Sequence, residues 1–145
     1  MKRYQRLIYV VADDAIYRLL AYDRHRYRLE NGWSIRFQVK LTPVSAGRPH
    51  GVKYSLTLHD ADGRRLLGFD NAHGIPKASA YDHQHRFRST DAPHTYAYRS
   101  GDELIADFFD AVERACAADG VTFSFVGEME FEDGDETDEL DGPQE

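Results

Sequence analysis

Hydrophobic and polar positions alternate most cleanly between Trp33 and Leu41, where Ile35, Phe37, Val39 and Leu41 interleave with Arg36, Gln38 and Lys40. That period of two belongs to a strand with one buried and one wet face. Arg24 to Glu30 precedes it, and Asn31-Gly32 between the arms predicts a two-residue hairpin turn. Val52 to His59 alternates again, Asp60-Ala61-Asp62-Gly63 reads as a turn, and Arg64 to Asp70 as the return strand. Leu7 to Val11 reads as a strand, whereas Ala15 to Tyr22 is short enough to be a strand or a helix. From Asn71 to Pro93 no period holds, so the stretch is expected to be a long, functional or mobile loop. His94 to Tyr98 and Val121 to Val126 read as further strands.

The one long helical signal follows Ser100. Ser100-Gly101-Asp102-Glu103 is a capping-box pattern, Leu104, Ile105, Phe108, Val112 and Ala115 recur at helical spacing, and Gly120 ends the element. These elements predict an α+β domain: an antiparallel sheet of about five or six strands, with one main C-terminal helix packed on one face.

Charge divides the chain. Of 25 acids, ten fall between residues 128 and 145, which contain no Lys or Arg; the rest of the chain holds fifteen acids against all eighteen bases. The expected organisation is a mildly basic domain over residues 1–127 followed by an acidic, disordered tail over 128–145. The tail reads as a solubilising terminus or as a polyanion mimic covering a basic surface. The single cysteine, Cys116, allows no intrachain disulfide and lies near the apolar helical stripe, where packing is its expected role. With no apolar run of spanning length, and a short apolar stretch after Met1 to Arg6 that makes a poor secretory signal, a cytoplasmic protein without membrane contact is expected.

Candidate chemistry concentrates in Gly68-Phe69-Asp70-Asn71 and Asp82-His83-Gln84-His85-Arg86. Two acids, an amide, two imidazoles and a guanidinium gather there, in what reads as loop between strands. Asp82, His83 and His85, with Asp70, are also possible metal ligands. Asp-His-x-His is much less diagnostic than established zinc patterns, so no metal is expected. No Gly-rich phosphate loop is present, so no nucleotide cofactor is expected. His25, His50, His59, His73 and His94 are scattered and receive no role.

Lys53-Tyr54-Ser55-Leu56, the Asp60–Gly63 turn, Gly68-Phe69-Asp70-Asn71, Asp82-His83-Gln84-His85 and Leu104-Ile105-Ala106-Asp107-Phe108 together resemble the TumE family of toxin–antitoxin system toxins, over roughly residues 24–115. The resemblance implies a cytoplasmic toxin, a neighbouring antitoxin that is often DNA-binding, and a target in translation or RNA. Metal-independent RNA cleavage needs a group that removes the 2′-hydroxyl proton, one that protonates the leaving oxygen, and a cation beside the phosphate. His85 is then the expected base or acid, His83 its partner, Asp70 or Asp82 the group that orients an imidazole, and Arg86 the phosphate clamp. Lys53, Arg64, Arg88 and Asn71 would bind substrate, and Tyr54, Tyr81 or Tyr96 would stack on a base. The competing expectation is a non-enzymatic binding protein whose basic, aromatic sheet engages a protein or nucleic acid, its histidines being structural.

Overall fold

The sheet begins as a hairpin, but its turn is one residue longer than the Asn-Gly pair suggests. In the computed structural model, which describes residues 14–72 and 81–130, β1 (Arg26–Leu29) pairs antiparallel with β2 (Ser34–Leu41). Gly32 N–H donates to the Leu29 carbonyl at 3.0 Å, and Leu29 N–H donates to the Trp33 carbonyl at 2.8 Å. In this connection only Gly32, at φ 91°, is left-handed. That is a three-residue bulged turn, in which one glycine suffices. β3 (Val52–His59) and β4 (Arg65–Asp70) are joined in the same way through Gly63, at φ 87°, with Asp60 Oδ1 accepting from the Asp62 and Arg64 amides.

Among the described residues seven strands are present, in the order β6-β5-β4-β3-β2-β1-β7, every pairing antiparallel. The α+β class is as expected and the sheet is slightly larger. The additions are short: β5 is His83–His85 and β6 is His94–Thr95. The histidine segment is therefore a strand laid on β4, a correction to its reading as loop. Three polar residues carry no hydrophobic period, so only the open backbone of β4 reveals the strand. The strand expected at Leu7–Val11, residues 73–80 of the long loop and the acidic residues from 131 onward lie outside the described residues.

Among the described residues two helices cover one face. The ambiguous segment is α1 (Asp14–Leu20), and α2 spans Gly101–Ala118. Ser100 caps α2, its Oγ accepting from the Glu103 amide at 3.1 Å. The Glu103 carboxylate binds the Arg99 guanidinium, so the cap is one-sided. At the other end Gly120 N–H reaches the Ala117 carbonyl and Val121 N–H the Cys116 carbonyl, which closes the helix in a Schellman arrangement. Because Val121 is tied to the helix end, the last strand starts later than the apolar run suggests. β7 is Phe125–Met129 and runs along β1, with Glu128 opposite Tyr27.

Ile35, Phe37, Leu56, Leu58, Leu67 and Phe69 on the sheet meet Leu104, Phe108 and Val112 of α2 and Leu19 of α1, all essentially buried. Phe108 stands edge-on to both Phe37 (5.6 Å) and Phe69 (6.1 Å). Burial of each such side chain contributes roughly 1.5–3 kcal/mol, so this layer dominates the stability of the domain. On the opposite face Gln38, Ser55, Thr57, His59, Asp70 and His83 are buried too, where an open wet face was expected. Those groups are sheltered through mutual hydrogen bonds, such as His59 Nε2 to Thr57 Oγ1 at 2.8 Å.

The two helices approach most closely at Gly101, where an added Cβ would lie 2.5 Å from the Ala15 carbonyl oxygen. Alanine is the better helix former by about 1 kcal/mol, yet Gly101→Ala is expected to destabilise by about 1–3 kcal/mol by forcing α1 off α2. Urea unfolding of the two proteins measures this; a stabilised Gly101→Ala protein would disprove the contact.

Candidate active site

The register of β5 on β4 builds the site. His85 lies opposite Gly68, Gln84 opposite Phe69 and His83 opposite Asp70. Alternation then puts Asp70, His83 and His85 on the face away from α2, while Phe69 and Gln84 share the helix side. His83 Nε2 approaches Asp70 Oδ1 at 2.9 Å, and His83 Nδ1 meets the Tyr81 carbonyl at 2.7 Å. Both partners are acceptors, so this pair of contacts suits a doubly protonated ring. His85 Nε2 stands 3.7 Å from Asp70 Oδ2, too far for a hydrogen bond, and the two imidazoles meet edge to face at 5.1 Å.

The two histidines titrate in opposite directions. Burial opposes charge on His83, but the Asp70 bond, the Asp70 charge and the Tyr81 carbonyl outweigh it, and its pKa is raised. His85 is lowered by burial and then by the Arg65 guanidinium, with Asp70 pulling the other way and His83 adding to the lowering. Two similar groups held apart in this way are suited to different duties near neutral pH. Both ring nitrogens of His83 are engaged, whereas among the described residues no hydrogen bond engages the His85 ring.

Arg65 reaches this face because of a break in the register. Leu58 pairs with Leu67 but His59 pairs with Arg65, so Leu66 is an extra residue in β4. Strict alternation backwards from Leu67 would turn Arg65 toward the core. The bulge re-aims it to the histidine face, with its Cδ 3.4 Å from where a Gly68 side chain would begin. That residue was missed in the sequence because a bulge leaves no mark in a period-two count.

Other expected residues are placed elsewhere. Asp82 points to the helix side, where it accepts from the Tyr54 hydroxyl at 2.7 Å; burial raises its pKa against that bond. Asp70, then, and not Asp82, orients the imidazole. Tyr54 is fully buried and cannot stack on a base, since its ring fills the space beneath β3. Asn71 is consumed by structure: its Oδ1 accepts from the Tyr54 amide and its Nδ2 donates to the Val52 carbonyl, both at 2.8 Å. Arg86 follows His85 by one residue and so faces the helix side, lining a groove of about 390 Å3 with Leu67, Gln84 and Arg114. Arg88 is ion-paired to Asp119 at 2.8 Å and lies over the Phe87 ring. Arg64 is exposed in the β3–β4 turn, while Lys53 shares the face of Asp70, opposite Lys40. The Tyr96 hydroxyl is bound to Asp107 at 2.6 Å, and the Arg48 guanidinium lies over the Tyr81 ring.

Arg48 is a second residue missed in the sequence. It is buried and donates to the Asn71 and Ala72 carbonyls, clamping the segment that leaves β4. Gly47 allows this, because any Cβ there would strike the Tyr81 ring at 2.5 Å. His59 is a third. It is sheltered beside Thr57 and the Gly63 carbonyl, and its pKa is lowered to about 4 by burial and by Arg36, with Arg65 and Arg26 adding to the effect. Cys116 is buried, and its thiol is pushed up by desolvation, away from nucleophilic use.

Asp70, His83 and His85 each set a ligand atom within 4.8 Å of the others, a donor set that a transition metal accepts. The nearby Arg65 charge weighs against a cation there. Among the described residues no helix is long and apolar enough to cross a membrane.

A helix-covered antiparallel sheet with a carboxylate–imidazole cluster on its other face is here the frame of a toxin. The family model described as Toxin TumE matches residues 9–115, and the chain belongs to that family. It is accordingly a toxin of a toxin–antitoxin system, and an antitoxin is its implied partner. No curated protein and no solved structure matches the chain.

The lowered pKa of His59 has a consequence for stability. Between about pH 6.5 and about pH 4 the unfolded chain takes up a proton that the folded protein refuses, so stability falls as pH falls. The loss from this group is on the order of 3 kcal/mol. His85 adds to it with the same sign, whereas His83, being raised, acts above pH 6.5. Denaturant unfolding at pH 7, 5.5 and 4 should show His59→Gln with a distinctly flatter acid limb than wild type. Parallel limbs would refute the assignment.

Proposed function

We propose that this toxin acts as a metal-independent endoribonuclease with His85 as its proton-transfer group. The observation that carries the reading is the placement of His83 and His85 about one carboxylate, with His83 bonded to Asp70 at 2.9 Å and His85 standing 3.7 Å from it, which shifts their pKa values in opposite directions. Neutral His85 takes the proton of a 2′-hydroxyl, the 2′-oxygen attacks phosphorus, and the same imidazole returns the proton to the departing 5′-oxygen. The products are a 2′,3′-cyclic phosphate and a 5′-hydroxyl end, so atoms and charge balance. His83 does not trade protons here. Asp70 and the Tyr81 carbonyl hold it as imidazolium, a fixed positive charge beside the phosphorane, which is the kind of preorganised field that stabilises such transition states.

Expression without antitoxin should arrest growth and fragment RNA, and the purified protein should cleave RNA in a metal chelator. His85→Ala should lower cleavage by about 100-fold or more. The rate of wild type should rise with pH as His85 loses its proton below its ordinary value, stay level through neutrality, and fall as His83 loses its own above it. Asp70→Asn should move both limbs to lower pH, because the carboxylate raises both rings. Full cleavage by His85→Ala would end this reading.

A second reading has its own observation: Arg26, Arg36 and Arg65 all act on His59, so three guanidinium groups gather near one part of the polar sheet face. Such a face suits RNA binding that blocks translation without turnover. It would be favoured if RNA binding fell steeply with salt while His85→Ala kept full toxicity.

A further inference from the structure

We infer that Arg65, His83 and His85, arranged around the side-chain-free position Gly68, form an oxyanion subsite for a phosphodiester of an RNA backbone. The inference rests on the ribonuclease reading and names the cation that holds the phosphate. That role was expected of Arg86, which lies on the opposite face of the sheet.

Three features converge. Gly68 stands on the polar face between Thr57 of β3 and His85 of β5. An added Cβ would press within 3.1 Å of Thr57 Cγ2 and 3.4 Å of Arg65 Cδ, so the missing side chain lets the Arg65 stem lie close over Gly68, next to His85. The bulge at Leu66 turns Arg65 onto this face, where it is exposed and makes no ion pair or hydrogen bond among the described residues. Its charge is felt by His85, His83 and His59 alike. The acid within the cluster, Asp70, is already matched by His83 at 2.9 Å. What remains is the positive charge of the Arg65 guanidinium beside the His85 imidazole. A guanidinium can take two phosphate oxygens at once, and an always-charged donor holds the phosphorane equally well throughout the working pH range of the histidines. The same charge disfavours a metal ion at these ligands.

The test does not require turnover. Ring signals of His83 and His85 are followed by NMR while the full chain is titrated with inorganic phosphate, and separately with an RNA oligonucleotide whose 2′-O-methyl groups prevent cleavage. Both should shift the wild-type rings, the oligonucleotide at lower concentration. Arg65→Ala should weaken both at least ten-fold, Arg65→Lys should restore part of the binding, and Arg86→Ala should stay within two-fold of wild type. Where RNA is cleaved, Arg65→Ala should also lower turnover by about 100-fold. Arg65 is exposed, so its replacement leaves the fold intact. Undiminished binding by Arg65→Ala would overturn the subsite even if the ribonuclease reading held. Phosphate binding that depends on Arg65, in a protein that never cleaves RNA, would support the subsite while removing the ribonuclease. Rings that respond to zinc and not to phosphate would overturn it in favour of a metal centre.

Discussion

The pairing of His83–His85 with Gly68–Asp70 is the constraint on which the candidate site depends. A strand of three residues has little stability of its own. It is held because β4 offers an open row of backbone donors and acceptors, because β6 covers its other side, and because Asp70 binds His83 across the ladder. Slipping the register by one residue would exchange the faces of every side chain in β5. Gln84 and Arg86 would then meet Asp70, and the imidazoles would be driven against Phe69 and α2. Register, more than proximity in sequence, decides which groups form the cluster.

The same face shows how a polar layer survives burial. His59, Thr57, Asp70, His83, Arg48 and Asn71 are all buried, and each has a polar partner in a carbonyl, a hydroxyl, an imidazole or a carboxylate. Leaving such groups unmade would cost about 1–3 kcal/mol apiece. The network therefore fixes geometry as well as charge. Arg48 holds the Asn71 and Ala72 carbonyls, Asn71 holds β3, and Asp70 is left with its oxygens aimed at two imidazoles. Burial, with the arginines adding to it, lowers the pKa of His85 and His59, while the Asp70 carboxylate helps raise that of His83.

The apolar face is simpler and independent of that chemistry. Phe108 anchors α2 between Phe37 and Phe69, and Gly101 lets α1 close over the start of the same helix. Phe69 and Asp70 are neighbours in β4, so one strand serves the core with one residue and the site with the next. Any change that tilts β4 within the core also moves the carboxylate.

Much of this was readable in the chain. Alternation from Ile35 to Leu41 located the central strands, the Ser100–Glu103 box and the Leu104–Ala115 spacing located α2, and the family pattern marked Asp70, His83 and His85. Those features are local, and local periods and caps are set by neighbouring residues. The turn through Asn31-Gly32 came out one residue longer because the choice between turn types lies in backbone angles that several residues share. Tyr54, Asn71 and Asp82 have the right chemistry for a site, but tertiary structure committed each to a partner distant in sequence. Arg86 lies away from the place expected of it, and Arg65 lies beside the histidines, for the same kind of reason. One bulge and one strand pairing assigned their faces, and both are decided by which backbones meet, which no window of the sequence contains.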